Sequence, residues 1–146
     1  KRIRAHFKPE LQWKQCIESC TASKFVLILS EFWCGDASQI VPVITQLLDL
    51  NKLIEVRLLF RDENPELIDA HLTHSARAIP KCIVLNSNFE FEWEWGPRPT
   101  QAQLLVKELK SNPSTAQNYA DRLHKWYAQN RQKDIQQEFC SLWKCC

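Results

Sequence analysis

The chain has 146 residues, 45% hydrophobic and 25% charged, which fits one domain able to bury a sizeable core. Its net charge of +2, with both signs interspersed, offers no electrostatic footprint for nucleic acid, and no apolar run nears the roughly 18 residues a membrane helix needs. Two glycines argue against a phosphate-cradling loop, and seven cysteines in a chain that needs no staples read as reduced thiols of a cytoplasmic protein. No secretory signal is legible, and the lack of methionine at position 1 leaves room for a segment upstream.

Residues 1–8 are a basic lead-in, read as a solvated arm. Residues 9–20 predict a helix, with Pro9 in its first turn and Leu11, Ile17 and Cys20 on an apolar face beside Trp13 and Cys16. Cys16 and Cys20 share a helix face, but no further ligand spacing supports a metal pair, and they read as packing. The run Phe25-Val-Leu-Ile-Leu29 predicts a strand buried on both faces. A helix follows from Ser38 to Leu50, with Ile40, Val41, Ile44, Leu47 and Leu48 at helical spacing and a kink expected at Pro42.

Ile54 to Phe60 is the second strand, and strand, helix, strand in this span predicts a parallel pair. Asn64 as N-cap and Pro65 as first helical residue open a connecting helix to about His74. His71 and His74 on it read as a solvated face. Residues 81–85 form the third strand. Asn86-Ser87-Asn88 is a turn, after which Phe89, Phe91, Trp93 and Trp95 alternate with Glu90, Glu92 and Glu94, predicting an antiparallel hairpin. Gly96-Pro97-Arg98-Pro99 is a rigid turn, and residues 100–111 predict a helix with Leu104, Leu105 and Leu109 inward. Past Asn112-Pro113-Ser114, residues 115–143 predict one long helix, its stripe running from Tyr119 and Leu123 through Trp126 and Tyr127 to Ile135, Phe139 and Leu142. Cys145-Cys146 reads as an exposed tail. The whole is a single α/β domain, 1–146, with its core over about 9–112 and a helical extension over about 114–143.

Chemistry concentrates at Phe32-Trp33-Cys34-Gly35-Asp36-Ala37, between the first strand and its helix. Helix-terminal N–H groups and the macrodipole favour a thiolate there. This junction, the element order, and the segments Glu31-Phe-Trp-Cys-Gly-Asp36, Arg61-Asp-Glu-Asn-Pro-Glu-Leu67, Ser75-Ala-Arg-Ala-Ile-Pro-Lys81 and Trp95-Gly-Pro-Arg-Pro99 resemble the thioredoxin superfamily. Within it they resemble a bacterial branch that carries Trp-Cys-Gly-Asp. The resemblance runs from about Lys24 to Lys110. It implies a thioredoxin-like three-layer fold, a central mixed four-stranded sheet flanked by helices, with the long C-terminal helix added. It also implies Cys34 as nucleophile, Trp33, Gly35 and Asp36 as shapers of the site, and Pro80 as a cis-proline beside it. The backbone of Ile79 would pair with an extended substrate.

Two positions depart from the family pattern. Ala37 stands where a resolving cysteine would be, and Ile28 where many thioredoxins carry a buried acid. Dithiol turnover by a Cys-x-x-Cys pair is excluded on this chain, because nothing at position 37 can expel a substrate from the mixed disulfide. Asp36 has two readings: a first-turn acid that stabilises the helix end, or an electrostatic tuner of the thiolate paired with Arg61 or Arg77. Cys82 likewise reads as core packing or as an alternative resolving thiol. The expected function is thiol–disulfide exchange at one thiol, with a protein or low-molecular-weight thiol or disulfide as partner. A thioredoxin-fold binding module without turnover is the alternative, and an iron–sulfur carrier fits the Cys34-Gly-Asp-Ala37 site poorly. No cofactor, metal, nucleic acid or membrane is expected.

Overall fold

The computed structural model describes Ile3 and residues 6–143; the expected tail Cys145-Cys146, and residues 1, 2, 4 and 5 of the basic lead-in, lie outside the described residues. Its centre is strand β1 (Lys24–Ser30), the run without glycine or proline. β1 pairs in parallel with β2 (Ile54–Phe60), Val26 opposite Val56, and antiparallel with β3 (Lys81–Leu85), Ile28 opposite Cys82. β4 (Phe91–Trp95) completes the sheet in the order β2-β1-β3-β4, antiparallel to β3. The mixed sheet and hairpin expected from the sequence are therefore present.

Helices α1 (Leu11–Glu18), α2 (Gly35–Leu48), α3 (Pro65–Ala70) and α4 (Thr100–Ser111) surround the sheet. The larger core gathers Val26, Ile28, Cys82, Val84 and Trp95 from one sheet face against Ile17, Ile40, Ile44, Leu47 and Val106 from the helices. The opposite face is thinner, with Leu29, Ile79 and Ile83 under Ile68 of α3. α2 runs through Pro42 without interruption and buries Ile40, Val43, Ile44, Leu47 and Leu48. At roughly 1.5–3 kcal/mol for each fully buried aliphatic side chain, these anchors hold the helix, and with it the position of its N-terminus.

The single helix expected over residues 115–143 is three: α5 (Pro113–Ala116), α6 (Tyr119–Asn130) and α7 (Lys133–Ser141). α6 and α7 are separated by Arg131 and Gln132, both left-handed at φ 51° and 63°. The side chain of Asn130 accepts the Asp134 N–H at 3.1 Å, doing what a carbonyl of a continuous helix would do. Tyr127 and Ile135 are eight residues apart, a spacing a straight helix also satisfies, so periodicity alone could not see the break. The extension is tied into the domain. Gln136 Oε1 accepts the Glu10 N–H ahead of α1 at 2.9 Å, and Glu138 accepts the Thr100 N–H at the start of α4 at 2.7 Å. Both satisfy helix-start donors that have no intrahelical partner.

Smaller corrections follow the same logic. α1 begins at Leu11 with Pro9 outside it, α2 begins three residues early at Gly35, and α3 stops at Ala70. In α4 the buried side chains are Ala102, Val106 and Leu109, while Leu104 points outward. β4 starts only at Phe91. Phe89 sits in the turn at φ 62° with its ring stacked on Phe25, because Asn86 Oδ1 accepts the N–H groups of Asn88 and Glu90 and tightens the loop.

The hairpin also buries a charge. Lys81 is 2% exposed, and its Nζ meets Glu94 at 2.8 Å, with His71 on the other carboxylate oxygen at 2.5 Å. Burial pushes Glu94 up, but hydrogen bonds from Lys81 and His71 outweigh it and hold the carboxyl below its usual 4.5. Glu94→Ala should cost about 3–5 kcal/mol in urea unfolding, because an unpaired ammonium stays in the core. Lys81→Met should cost clearly less, since Glu94 lies at the surface side and can hydrate. Equal losses would mean the pair does not behave as a buried ammonium with a solvated partner. Because the folded value is depressed, the pair's contribution is complete above pH 4.5 and fades as pH falls through the lower folded value.

Candidate active site

β1 delivers the chain to a short turn in which the Cys34 N–H donates to Glu31 O at 3.2 Å. Cys34 is the N-cap of α2. Its backbone is extended, and its sulfur accepts the Ala37 N–H at 3.4 Å. The thiol thus occupies the place that a serine or aspartate oxygen usually takes at a helix start. Across from it, the thiol donates to Ile79 O at 3.5 Å, and the Ile79–Pro80 bond is cis. Cys34 is half-buried, resting against the smaller core.

An apolar surface surrounds the thiol. Trp33 is 65% exposed and Phe32 90% exposed, with the Phe32 ring tilted against Phe60 at 4.7 Å. Beside Cys34 a groove of about 320 Å³ runs between α2 and the edge strand β2, floored by Val41, Pro42, Leu58 and Phe60. The guanidinium of Arg61 lies over the Trp33 ring, 5.0 Å from its centroid, and donates to the Arg77 carbonyl. Arg77 itself forks onto Asp69 with two 2.7 Å hydrogen bonds. Those bonds hold the Asp69 carboxyl below its usual range.

Neither Arg61 nor Arg77 pairs with Asp36. The buried carboxylate of Asp36 meets Arg98 Nη2 at 2.6 Å and accepts the Tyr127 hydroxyl at 2.8 Å. The reason is topological. The turn after β4 and helix α6 both cover the first turn of α2, whereas Arg61 and Arg77 are engaged above Trp33 and on α3. Burial pushes the Tyr127 hydroxyl far up, and the adjacent Asp36 charge pushes it further, so Tyr127 remains a donor. Burial disfavours the Arg98 charge, but the Asp36 hydrogen bond and charge more than offset this. With Arg98 compensating it, Asp36 reads as a tie between the thiol-bearing helix and the rest of the domain.

Both glycines of the chain border this site. A Cβ on Gly35 would lie 3.3 Å from Nε2 of His124 on α6, so the imidazole closes over the residue after Cys34. Gly96 has φ 124°, and a Cβ there would lie 2.2 Å from Pro80 O. Cys82 is fully buried in the larger core, opposite Ile28 and Trp95, while Cys34 rests on the smaller one. Burial pushes the Cys82 thiol up to about 12, only partly countered by Lys81, so it is not a thiolate near neutral pH. Packing, the first of its two readings, is the one this environment supports.

Sequence reasoning passed over Arg98, Tyr127, His124 and the role of Gly96. Arg98 and Gly96 lie within Trp95-Gly-Pro-Arg-Pro99, which in one dimension reads only as a turn. Tyr127 was one apolar position among seven in a stripe, and nothing in the one-dimensional pattern aimed it at residue 36.

Comparison with known proteins agrees with this architecture. A family model described as Thioredoxin matches residues 1–110. No curated protein matches the sequence. Among solved structures, a protein of unknown function from Pseudomonas aeruginosa, PA1234, superposes with a TM-score of 0.68 at 16% identity, covering 97% of this chain and 76% of that one. An HIV epitope-scaffold superposes with a TM-score of 0.65 at 15% identity, covering 97% of this chain and 77% of its own. These likenesses are of fold. With the family model spanning most of the chain and a cis-proline facing a helix-capping cysteine, the chain belongs to the thioredoxin family.

Proposed function

We propose that this protein performs thiol–disulfide exchange through one thiol, Cys34, as a single-cysteine form of the branch carrying Trp-Cys-Gly-Asp, in a reducing cytoplasm. The observation that carries the reading is the setting of the Cys34 sulfur: half-buried, capping α2 through the Ala37 N–H, and opening onto an apolar groove. A thiolate would accept that N–H more strongly than a thiol does. In the reaction, the Cys34 thiolate attacks one sulfur of a disulfide RSSR′. The S–S bond breaks, Cys34–S–S–R forms, and R′S⁻ leaves to take up a proton. Position 37 is alanine, so a second thiol must come from solution. It attacks Cys34–S–S–R, the external pair is oxidised, and the Cys34 thiolate is released.

Alkylation at neutral pH, mapped by mass spectrometry, tests this. Cys34 should be modified first, ahead of the tail cysteines Cys145 and Cys146, with Cys82 last because its thiol is buried and protonated. Cys34→Ser should abolish mixed-disulfide formation with a test disulfide. Modification of Cys34 no faster than that of the tail would sink the exchange reading. The apolar groove lined by exposed Phe32, with exposed Trp33 next to Cys34 in the chain, would then favour recognition of a partner segment without turnover.

A further inference from the structure

On the far side of Ser38 and Pro42 from the apolar groove lies a second, larger basin of about 700 Å³. Ser38 and Pro42 line both, so the two depressions meet across one turn of α2. Their linings differ in kind. The groove beside Cys34 is apolar. The basin is bordered by His6, His124 and Arg131 with Gln39, and among the described residues none of its lining side chains is a carboxylate. Arg131 makes no ion pair with any described residue, in contrast to Arg57, Arg61, Arg77 and Arg98, each of which has an acidic partner. It lines the basin from a left-handed pair, residues 131 and 132, a conformation uncommon outside glycine. His124 joins basin to thiol, since its imidazole closes over Gly35, the neighbour of Cys34.

Resting on the exchange reading above, we propose that the substrate is a low-molecular-weight disulfide bearing carboxylates. Its sulfur meets Cys34, and its anionic arm lies in the basin of His6, His124 and Arg131. The combined space of groove and basin is in the range of small-molecule sites. A wall that holds the guanidinium of Arg131 beside the ring N–H donors of His6 and His124 raises the local concentration of an anion and so its rate of attack. The chemistry balances as before. Cys34 thiolate and RSSR yield Cys34–S–S–R and RS⁻, and a different thiol R″SH from solution attacks the outer sulfur, so that R–S–S–R″, a proton and the Cys34 thiolate are released.

The test compares three disulfides on the full chain: glutathione disulfide (anionic), bis(2-hydroxyethyl) disulfide (neutral) and cystamine (cationic). Each rate is divided by that of a free reference thiol to remove intrinsic reactivity. The expected order is anionic, neutral, cationic, with the anionic advantage shrinking as salt rises to roughly 0.5 M. Arg131→Asn, which retains a residue tolerant of left-handed backbone, should lower the ratio of anionic to neutral rates about tenfold. His124→Gln should lower it as well. If wild type reacts with the neutral disulfide but neither variant moves the ratio, the anion basin is refuted while exchange stands. If Cys34 reacts with none of the three, the exchange reading falls and takes this inference with it.

Discussion

Gly96→Ala should be the most damaging single substitution near the site, with a loss of about 4 kcal/mol or more in urea unfolding. Two costs combine. At φ 124° an L side chain is strained whatever space surrounds it, worth roughly 1–3 kcal/mol. The added Cβ also lands 2.2 Å from Pro80 O and 3.2 Å from its carbonyl carbon. Those are backbone atoms, so no rotamer change relieves the overlap, and comparable overpacking costs roughly 1–3 kcal/mol or more. The alternative to paying in stability is to shift the segment 79–81, which carries the carbonyl that Cys34 faces at 3.5 Å. The variant should therefore lose stability and change the alkylation rate of Cys34 together. A variant with wild-type stability and wild-type Cys34 reactivity would show that Gly96 does not abut Pro80 in solution.

Arg98→Ala should cost about 3–5 kcal/mol, because it strands a buried carboxylate with only a tyrosine hydroxyl for company. The Arg98 side chain is 23% exposed, against 9% for that of Asp36, so the acid is the more deeply buried partner of the pair. Asp36→Ala should cost less, since the freed guanidinium can turn toward water, although Tyr127 then loses its acceptor. Tyr127→Phe should cost least, about 1–3 kcal/mol, as one acceptor is left short of a donor. The order Arg98, Asp36, Tyr127 is the informative result, measured as denaturation midpoints with unchanged slopes. Equal, small effects would mean that Asp36 is hydrated and that the extension does not grip the thiol-bearing helix.

The fold was legible because its signals are local and redundant. β1 reads as a buried strand from Phe25 to Leu29 without reference to anything else. The hairpin follows from the turn residues Asn86 to Asn88, and Asn64-Pro65 opens α3 as its capping chemistry requires. The thiol at the head of α2 could be placed for the same reason, since a cysteine between a strand and a helical period must sit near the helix start. The extension was legible as helical but not as broken, because Asn130 and the left-handed pair after it leave the apolar period intact.

What the residue order determined on its own is the place of the thiol: one cysteine at the start of α2, alanine at position 37, and proline after Ile79. Only the tertiary structure decided what surrounds that thiol. Asp36 finds its charge partner 62 positions away at Arg98 and its hydrogen-bond donor 91 positions away at Tyr127. Sequence periodicity reports which face of a helix is apolar, but not which residue of another element it meets. Charge pairing depends on a few ångströms of separation, which the packing of α6 and the post-β4 turn sets. For that reason Arg61 and Arg77 were plausible partners in one dimension, and Arg98 is the partner in three.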